Sequence, residues 1–279
     1  MTRRRASEGV GDEDRFDFGH NWLRFLQVVD DERIRASEVS LAELLEGEIE
    51  GKSFLDVGSG SGLSSLAAVR LGAGRVHAFD FDQASVRCTL EMRHRYAPRA
   101  THWSAEQGDV LDPQYLAGLG RFDIVYSWGV LHHTGDVWTA LDNVASLVEP
   151  HGRLVLALYR DQGRASRFWL SVKKAYNRGR AGQLLVLATF VPAFFLYGLL
   201  VDLAHRRNPV ARYREYKAAR GMSRVHDWVD WLGGLPFEFV SAPAVTRFYE
   251  QRGFRLLRFV QGTGSMRLHE YVFGPGDST

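Results

Sequence analysis

Three glycines on alternate positions, Gly58, Gly60 and Gly62, follow a short apolar run that carries an acid near its end, Ser53-Phe54-Leu55-Asp56-Val57. Glycine tolerates positive φ and, lacking a Cβ, lets a ligand lie against the backbone. Ser59 and Ser61 separate the glycines. Leu63, Leu66, Ala67 and Leu71 then recur at helical spacing, so the stretch reads as strand, tight turn, helix. A helix starting there points its free N–H groups at whatever fills the turn. Asp56 adds a carboxylate, which suits a cationic ligand better than a pyrophosphate. Asp80 lies 18 positions beyond Gly62 at the end of a second apolar run. A carboxylate there can accept two hydrogen bonds from the vicinal diol of a ribose, with Phe81 beside it to flank a base. Three histidines complete the set. His132 and His133 follow a fourth apolar run, and His226 precedes Asp227 and Trp228. Imidazole titrates near pH 6.5 and can take a proton from a phenol or alcohol. At each, a structural hydrogen bond or an exposed ring is the competing reading.

The totals bound what must hold these residues. The chain has 279 residues, 45% hydrophobic and 24% charged, an ordinary globular composition for one large domain or a domain with an elaborate insertion. A net charge of +2 argues against a wholesale nucleic-acid footprint, so no nucleic-acid partner is expected. A single cysteine, Cys88, excludes an intrachain disulfide and a cysteine metal site, and no metal is expected. Thr2-Arg3-Arg4-Arg5 leads into acidic and polar residues without an apolar core, so a cytoplasmic enzyme is the expectation.

Strands and helices alternate along the middle of the chain. Residues 1–15 read as a mobile tail, and Phe18, Trp22, Leu23, Phe25 and Leu26 begin a helical cover over residues 16–50, with a second helix from Ala36 to Leu45. Strand Arg75–Asp80, helix Gln83–Tyr96 and strand Trp103–Gln107 follow, then Gly108-Asp109-Val110. Arg121–Ser127 is a fourth strand, leading into Trp128-Gly129-Val130-Leu131-His132-His133. Helix Val137–Val148 precedes the turn Pro150-His151-Gly152 and the apolar strand ending at Tyr159.

Leu55-Asp56-Val57-Gly58-Ser59-Gly60-Ser61-Gly62 resembles motif I of the class I S-adenosylmethionine-dependent methyltransferases. Its third glycine falls one position too early for the dinucleotide pattern G-x-G-x-x-G, where Leu63 stands instead. Phe122-Asp123-Ile124-Val125 with Trp128 to His133 resembles the fourth-strand motif of the same family, and Pro150 to Tyr159 its fifth strand. The resemblance covers about 52–159 and, in a closing helix and hairpin, 243–273. It implies a Rossmann-like α/β fold of seven mostly parallel strands in the order 3-2-1-4-5-7-6, strand 7 antiparallel, with helices on both faces. It also implies S-adenosylmethionine as cofactor, S-adenosylhomocysteine as product, and a site residue by residue. Asp56, Gly58, Ser59, Gly60 and Gly62 would pass the amino-acid portion, Asp80 the ribose, and Phe81, Gly108, Asp109 and Val110 the adenine. Phe18 and Trp22 read first as aromatics packed on the core, with closure over the cofactor as the alternative that the resemblance implies, and Trp128 would face the cofactor. Asp109 competes with a plain turn role before Asp112-Pro113.

Residues 161–240 break the alternation and read as a helical insertion between strands 5 and 6, a lid on the domain formed by 51–160 and 241–279. Arg160–Arg180 holds seven Arg or Lys, and Ala181–Val201 holds no charge. Pro192 and Gly198 would divide the apolar stretch into a buried or lid helix pair. A membrane span, or a helix lying in a membrane interface between basic flanks, are its other readings. Met222–Phe237 reads as a structured loop. Tyr159, Asp227 and Trp228 are candidate acceptor contacts, and His133, His226 and His132 candidate bases. The expected function is methyl transfer to O or N of an apolar or aromatic small molecule. An NAD(P)-dependent oxidoreductase and a non-catalytic membrane or partner-binding module are the alternatives. The oligomeric state is not legible.

Overall fold

The computed structural model describes Trp22 and residues 25–209, 224–262 and 268–276, with the side chains of 224–227 and 230 outside that description. The expected tail at 1–15, Phe18 and part of the insertion expected at 161–240 therefore fall outside it.

Alternation along β1 (Ser53–Val57) sends Phe54 to one face of the sheet and Leu55 and Val57 to the other, all fully buried. The strands around it do the same. One face packs Leu55, Val125, Leu154, Leu156, Tyr271 and Phe273 against Leu141 and Val144 of α5 (Val137–Ser146) and Val245 and Tyr249 of α9 (Ala242–Glu250). The other packs Phe54, Val76, Ile124 and Val155 against α1 (Asp31–Leu44), α2 (Leu63–Arg70) and α3 (Gln83–Tyr96). A sheet covered on both faces needs continuous apolar strands, which is what the sequence supplies.

With β2 (Arg75–Asp80), β3 (Trp103–Gln107), β4 (Phe122–Trp128), β5 (Val148–Tyr159), β6 (Phe254–Val260) and β7 (Leu268–Pro275), the order is β3-β2-β1-β4-β5-β7-β6. The first five strands pair in parallel, and β7 runs antiparallel to both β5 and β6. This is the expected fold. The short helix α4 (Pro113–Leu119) joins β3 to β4.

Three local expectations are corrected. Helix α5 ends at Ser146, and β5 already starts at Val148. Pro150-His151-Gly152 thus lies within the strand, where its pairing with β4 shifts register between Phe122 and Ile124. The apolar stretch is no helix pair: α7 (Arg180–Ala204) is one helix of 25 residues running through Pro192 and Gly198. Pro192 is exposed, and a proline there removes one backbone N–H without ending the helix. Nor is that helix buried, since Leu184 and Tyr197 are each 70% exposed. Finally, residues 224–233 form helix α8 (Arg224–Gly233) rather than a loop. Trp228, Val229, Trp231 and Leu232 fall at helical spacing and pack with α6 (Arg164–Tyr176) and α7 in a satellite core of their own.

Candidate active site

The carboxyl ends of β1, β2, β4 and β5 converge on one side of the sheet, where ligands of open α/β folds bind. At β1, the glycine turn is tied to the neighbouring strand by Gly58 and Ser59 N–H donating to the Phe79 carbonyl, at 2.8 and 3.1 Å. Gly58 has φ +77°, and a Cβ there would lie 2.4 Å from a methyl carbon of Val130. At Gly60, with φ +53°, a Cβ would meet the Trp22 indole at 2.9 Å. Trp22 therefore lies against the turn while also packing on the core beneath it. Ser59 shares a 2.9 Å hydrogen bond with Thr89 of α3, which fixes the turn from below.

Two carboxylates flank this turn. Asp56 is 2% exposed and accepts a hydrogen bond from Ser65 Oγ, at 2.6 Å. Burial pushes its pKa up to about 7, with the neighbouring Asp80 charge adding to the rise. Asp80 takes the N–H of Gly60 on one oxygen and that of Asp82 on the other, both at 2.9 Å. Burial again dominates and raises it to about 6. Among the described residues neither acid has an ion pair. Buried carboxylates without a counter-charge are costly, and a cationic ligand would relieve that cost. The site thus fits a molecule with an ammonium, a sulfonium and a ribose diol.

On the base side, the Gly108 N–H donates to the Asp80 carbonyl at 3.0 Å, and a Cβ on Gly108 would collide with the Tyr115 ring at 2.2 Å. Asp109 spends Oδ1 on the Leu111 N–H, the turn role that competed with adenine binding. Val110 is turned into the core, which leaves its backbone alone for a ligand. Phe81 is 45% exposed beside Asp80. Trp128 stacks on Tyr126 at 5.9 Å, interplanar angle 10°.

Past β4, His132, His133 and Tyr159 form one cluster. The His132 ring centroid is 4.4 Å from that of His133 and 4.2 Å from that of Tyr159, and Phe237 adds a ring 5.1 Å from Tyr159. His133 Nδ1 lies 2.5 Å from the Pro236 carbonyl, which can only accept, so Nδ1 carries the proton and Nε2 the lone pair. Burial, followed by the positive charge of Lys173, lowers His133 to about 3. His132 is fully buried, and burial holds its pKa well below the usual imidazole value. Among the described residues neither of its ring nitrogens has a hydrogen-bond partner. Both rings are therefore neutral at pH 7.

Sequence reasoning missed Lys173 and Glu238. Lys173 is 1% exposed, donates to the Trp231 carbonyl and lies 4.6 Å from the centre of the Phe237 ring. It was lost in a run of seven basic residues, and only packing singles it out. Glu238 accepts from the N–H groups of Gly135 and Val137 at 3.1 and 3.3 Å, pinning residues 236–240 across the start of α5. An acid inside the apolar run Pro236-Phe237-Glu238-Phe239-Val240 was the available signal. Trp228 packs on Phe194 and Phe195 of α7 instead of on the histidine cluster. The side chains of His226 and Asp227 lie outside the described residues.

The strand order, the glycine turn and its two acids define the class: the chain has the fold of the class I S-adenosylmethionine-dependent methyltransferases. Residues 55–154 match the family model described as a methyltransferase domain, and S-adenosylmethionine is the cofactor of that class. Among curated relatives, a ribosomal protein L11 methyltransferase of Sorangium cellulosum (strain So ce56) is 31% identical over 217 residues, 75% of this chain and 57% of that protein. Its namesake from Legionella pneumophila (strain Lens) is 34% identical over 80 residues, 29% and 26% respectively. The chain thus spans little more than half of the one and about a quarter of the other. Among solved structures, magnesium protoporphyrin IX methyltransferase from Synechocystis PCC 6803 with bound S-adenosylhomocysteine aligns with TM-score 0.54 and 15% identity, over 92% of this chain and 94% of that one. A methyltransferase in complex with the Haloferax volcanii Trm112 activator aligns with TM-score 0.55 and 12% identity, over 95% and 99%.

Proposed function

We propose that this chain transfers the methyl group of S-adenosylmethionine to an oxygen or nitrogen of an apolar or aromatic small molecule. When bound, that cofactor supplies an electrophilic methyl on a sulfonium and departs as S-adenosylhomocysteine. Asp56 holds its ammonium through the buried charge beside the glycine turn, and Asp80 holds the ribose hydroxyls. Asp109 Oδ2 and the Val110 N–H meet the adenine edge, while Trp22 shields the turn from water. Residues 161–240 close over the acceptor, and alignment in a water-poor pocket contributes much of the rate.

His132 is the observation that carries the acceptor reading. A buried ring nitrogen with no partner costs stability. Here the ring sits among Tyr159 and His133, and Glu238 N–H donates 2.9 Å to its backbone carbonyl. An acceptor O–H or N–H presented to that ring satisfies the nitrogen and delivers the proton it must lose, while the aromatic rings pack the apolar body. Because His132 is fully enclosed, the acceptor reaches it only when residues 234–240 and the insertion open. His133, with Nδ1 anchored, is the second candidate base.

The test is a transfer assay with the methyl of S-adenosylmethionine tritiated, using extracts as acceptor source. Label is expected in the organic-extractable fraction, lost in His132→Phe and reduced in His133→Ala, with S-adenosylhomocysteine affinity near that of the wild type in both. Label confined to protein-sized material would instead favour a protein acceptor, as the names of the L11 relatives suggest. Full turnover in both variants would remove the histidine base.

A further inference from the structure

Helix α7 holds the largest surface that the proposed chemistry leaves unexplained. One stripe of it, Val186, Leu187, Phe190, Val191 and Phe194, packs on Trp169 of α6 and on Trp228 and Trp231 of α8. The remaining circumference is apolar and open: Leu184, Leu185, Leu196 and Leu200 are between 57 and 70% exposed, with Tyr197 at 70%. From Arg164 to Pro209 the chain contains one acid, Asp202, and it is buried. Over the same span Arg164, Arg167, Lys174, Arg178, Arg180, Arg206 and Arg207 are exposed. An apolar band with cations at both ends and no exposed anion matches the interface of an anionic lipid bilayer, where basic residues meet headgroups and apolar ones enter the acyl boundary.

We infer that α7 docks this protein onto an anionic membrane, lying in the interface plane rather than crossing it. Its length of ~37 Å would suffice to cross. Its packed stripe decides against that, because a crossing helix would drag Arg164, Arg167 and Lys174 of α6 into hydrocarbon. The inference stands whatever the methyl acceptor proves to be.

The experiment is flotation of the full chain with phosphatidylcholine vesicles, with and without phosphatidylglycerol. Flotation with the anionic vesicles and little with the neutral ones is expected. The double variant Leu196→Asp/Leu200→Asp should lose more than about tenfold of the bound fraction while binding S-adenosylhomocysteine as the wild type does. Should that variant fail to fold, Arg178→Glu/Arg206→Glu/Arg207→Glu tests the same surface through its charge, with the same loss expected on anionic vesicles. Four results would each overturn the inference: no flotation of the wild type, equal flotation on both vesicles, retention of wild-type flotation in the variants, or resistance of the bound protein to alkaline carbonate, which marks a spanning helix. A wild-type dimer that Leu196→Asp dissociates, without flotation, would assign the face to a second copy instead.

Discussion

Asp56 and Asp80 show how burial can be put to use at single residues. Each sits where its charge is costly, and each is kept in place by hydrogen bonds too few to offset that cost. Asp80 does double duty, since it already accepts from Gly60 and Asp82. Asp80→Ala should therefore weaken S-adenosylhomocysteine binding by about 1–3 kcal/mol, measured by titration calorimetry, and Asp80→Asn, which keeps one acceptor oxygen, should lose less. Unchanged affinity would place the ribose elsewhere. Asp56 predicts a pH dependence. Its folded pKa of about 7 lies above that of an unfolded Asp, so between about pH 4 and 7 the native state binds the extra proton. Stability must fall as pH rises through that window. Relative to Asp56→Asn, the cofactor-free wild type should lose thermal stability from about pH 4 to about pH 7 and hold a constant difference above. A difference independent of pH would show that the carboxyl is not raised.

Elements rather than side chains decide whether the glycine turn exists at all. Its φ values are positive at Gly58, Gly60 and Gly62, and it is wedged between Val130, two residues past the end of β4, and helix α3 at Thr89. Gly58→Ala adds both backbone strain and a collision with the Val130 branch. It should lower stability by about 1–3 kcal/mol and abolish detectable cofactor binding, read by thermal melts and calorimetry; a stable variant with normal binding would mean that the loop relaxes freely. At the other rim, residues 236–240 are held by Glu238 on the start of α5. Helix α8 shows what local reading overlooks. Its His226-Asp227-Trp228 stretch suggested chemistry, yet Trp228 and Trp231 bind the insertion together.

At the scale of the whole molecule, a doubly covered sheet carries the glycine turn and its two acids at β1 and β2 and the histidine cluster past β4, the two halves to which the proposal assigns cofactor and acceptor. A ligand that binds the folded state alone stabilises it by mass action, so S-adenosylhomocysteine at a hundred times its dissociation constant should add about 2.7 kcal/mol. A rise in melting temperature that NAD(H) does not reproduce is the expected result, and the reverse pattern would point to a dehydrogenase. The sheet, its order and the glycine turn with its flanking acids were legible from the chain itself. Their signals are local: apolar runs of strand length, glycines where φ must be positive, and acids at the ends of strands. The continuity of α7, the burial of Lys173, the orphaned ring of His132 and the cap from Glu238 were not. Each depends on which surfaces meet across distant segments, and burial, which sets both the cost of a charge and the fate of an apolar face, exists only once the chain has packed.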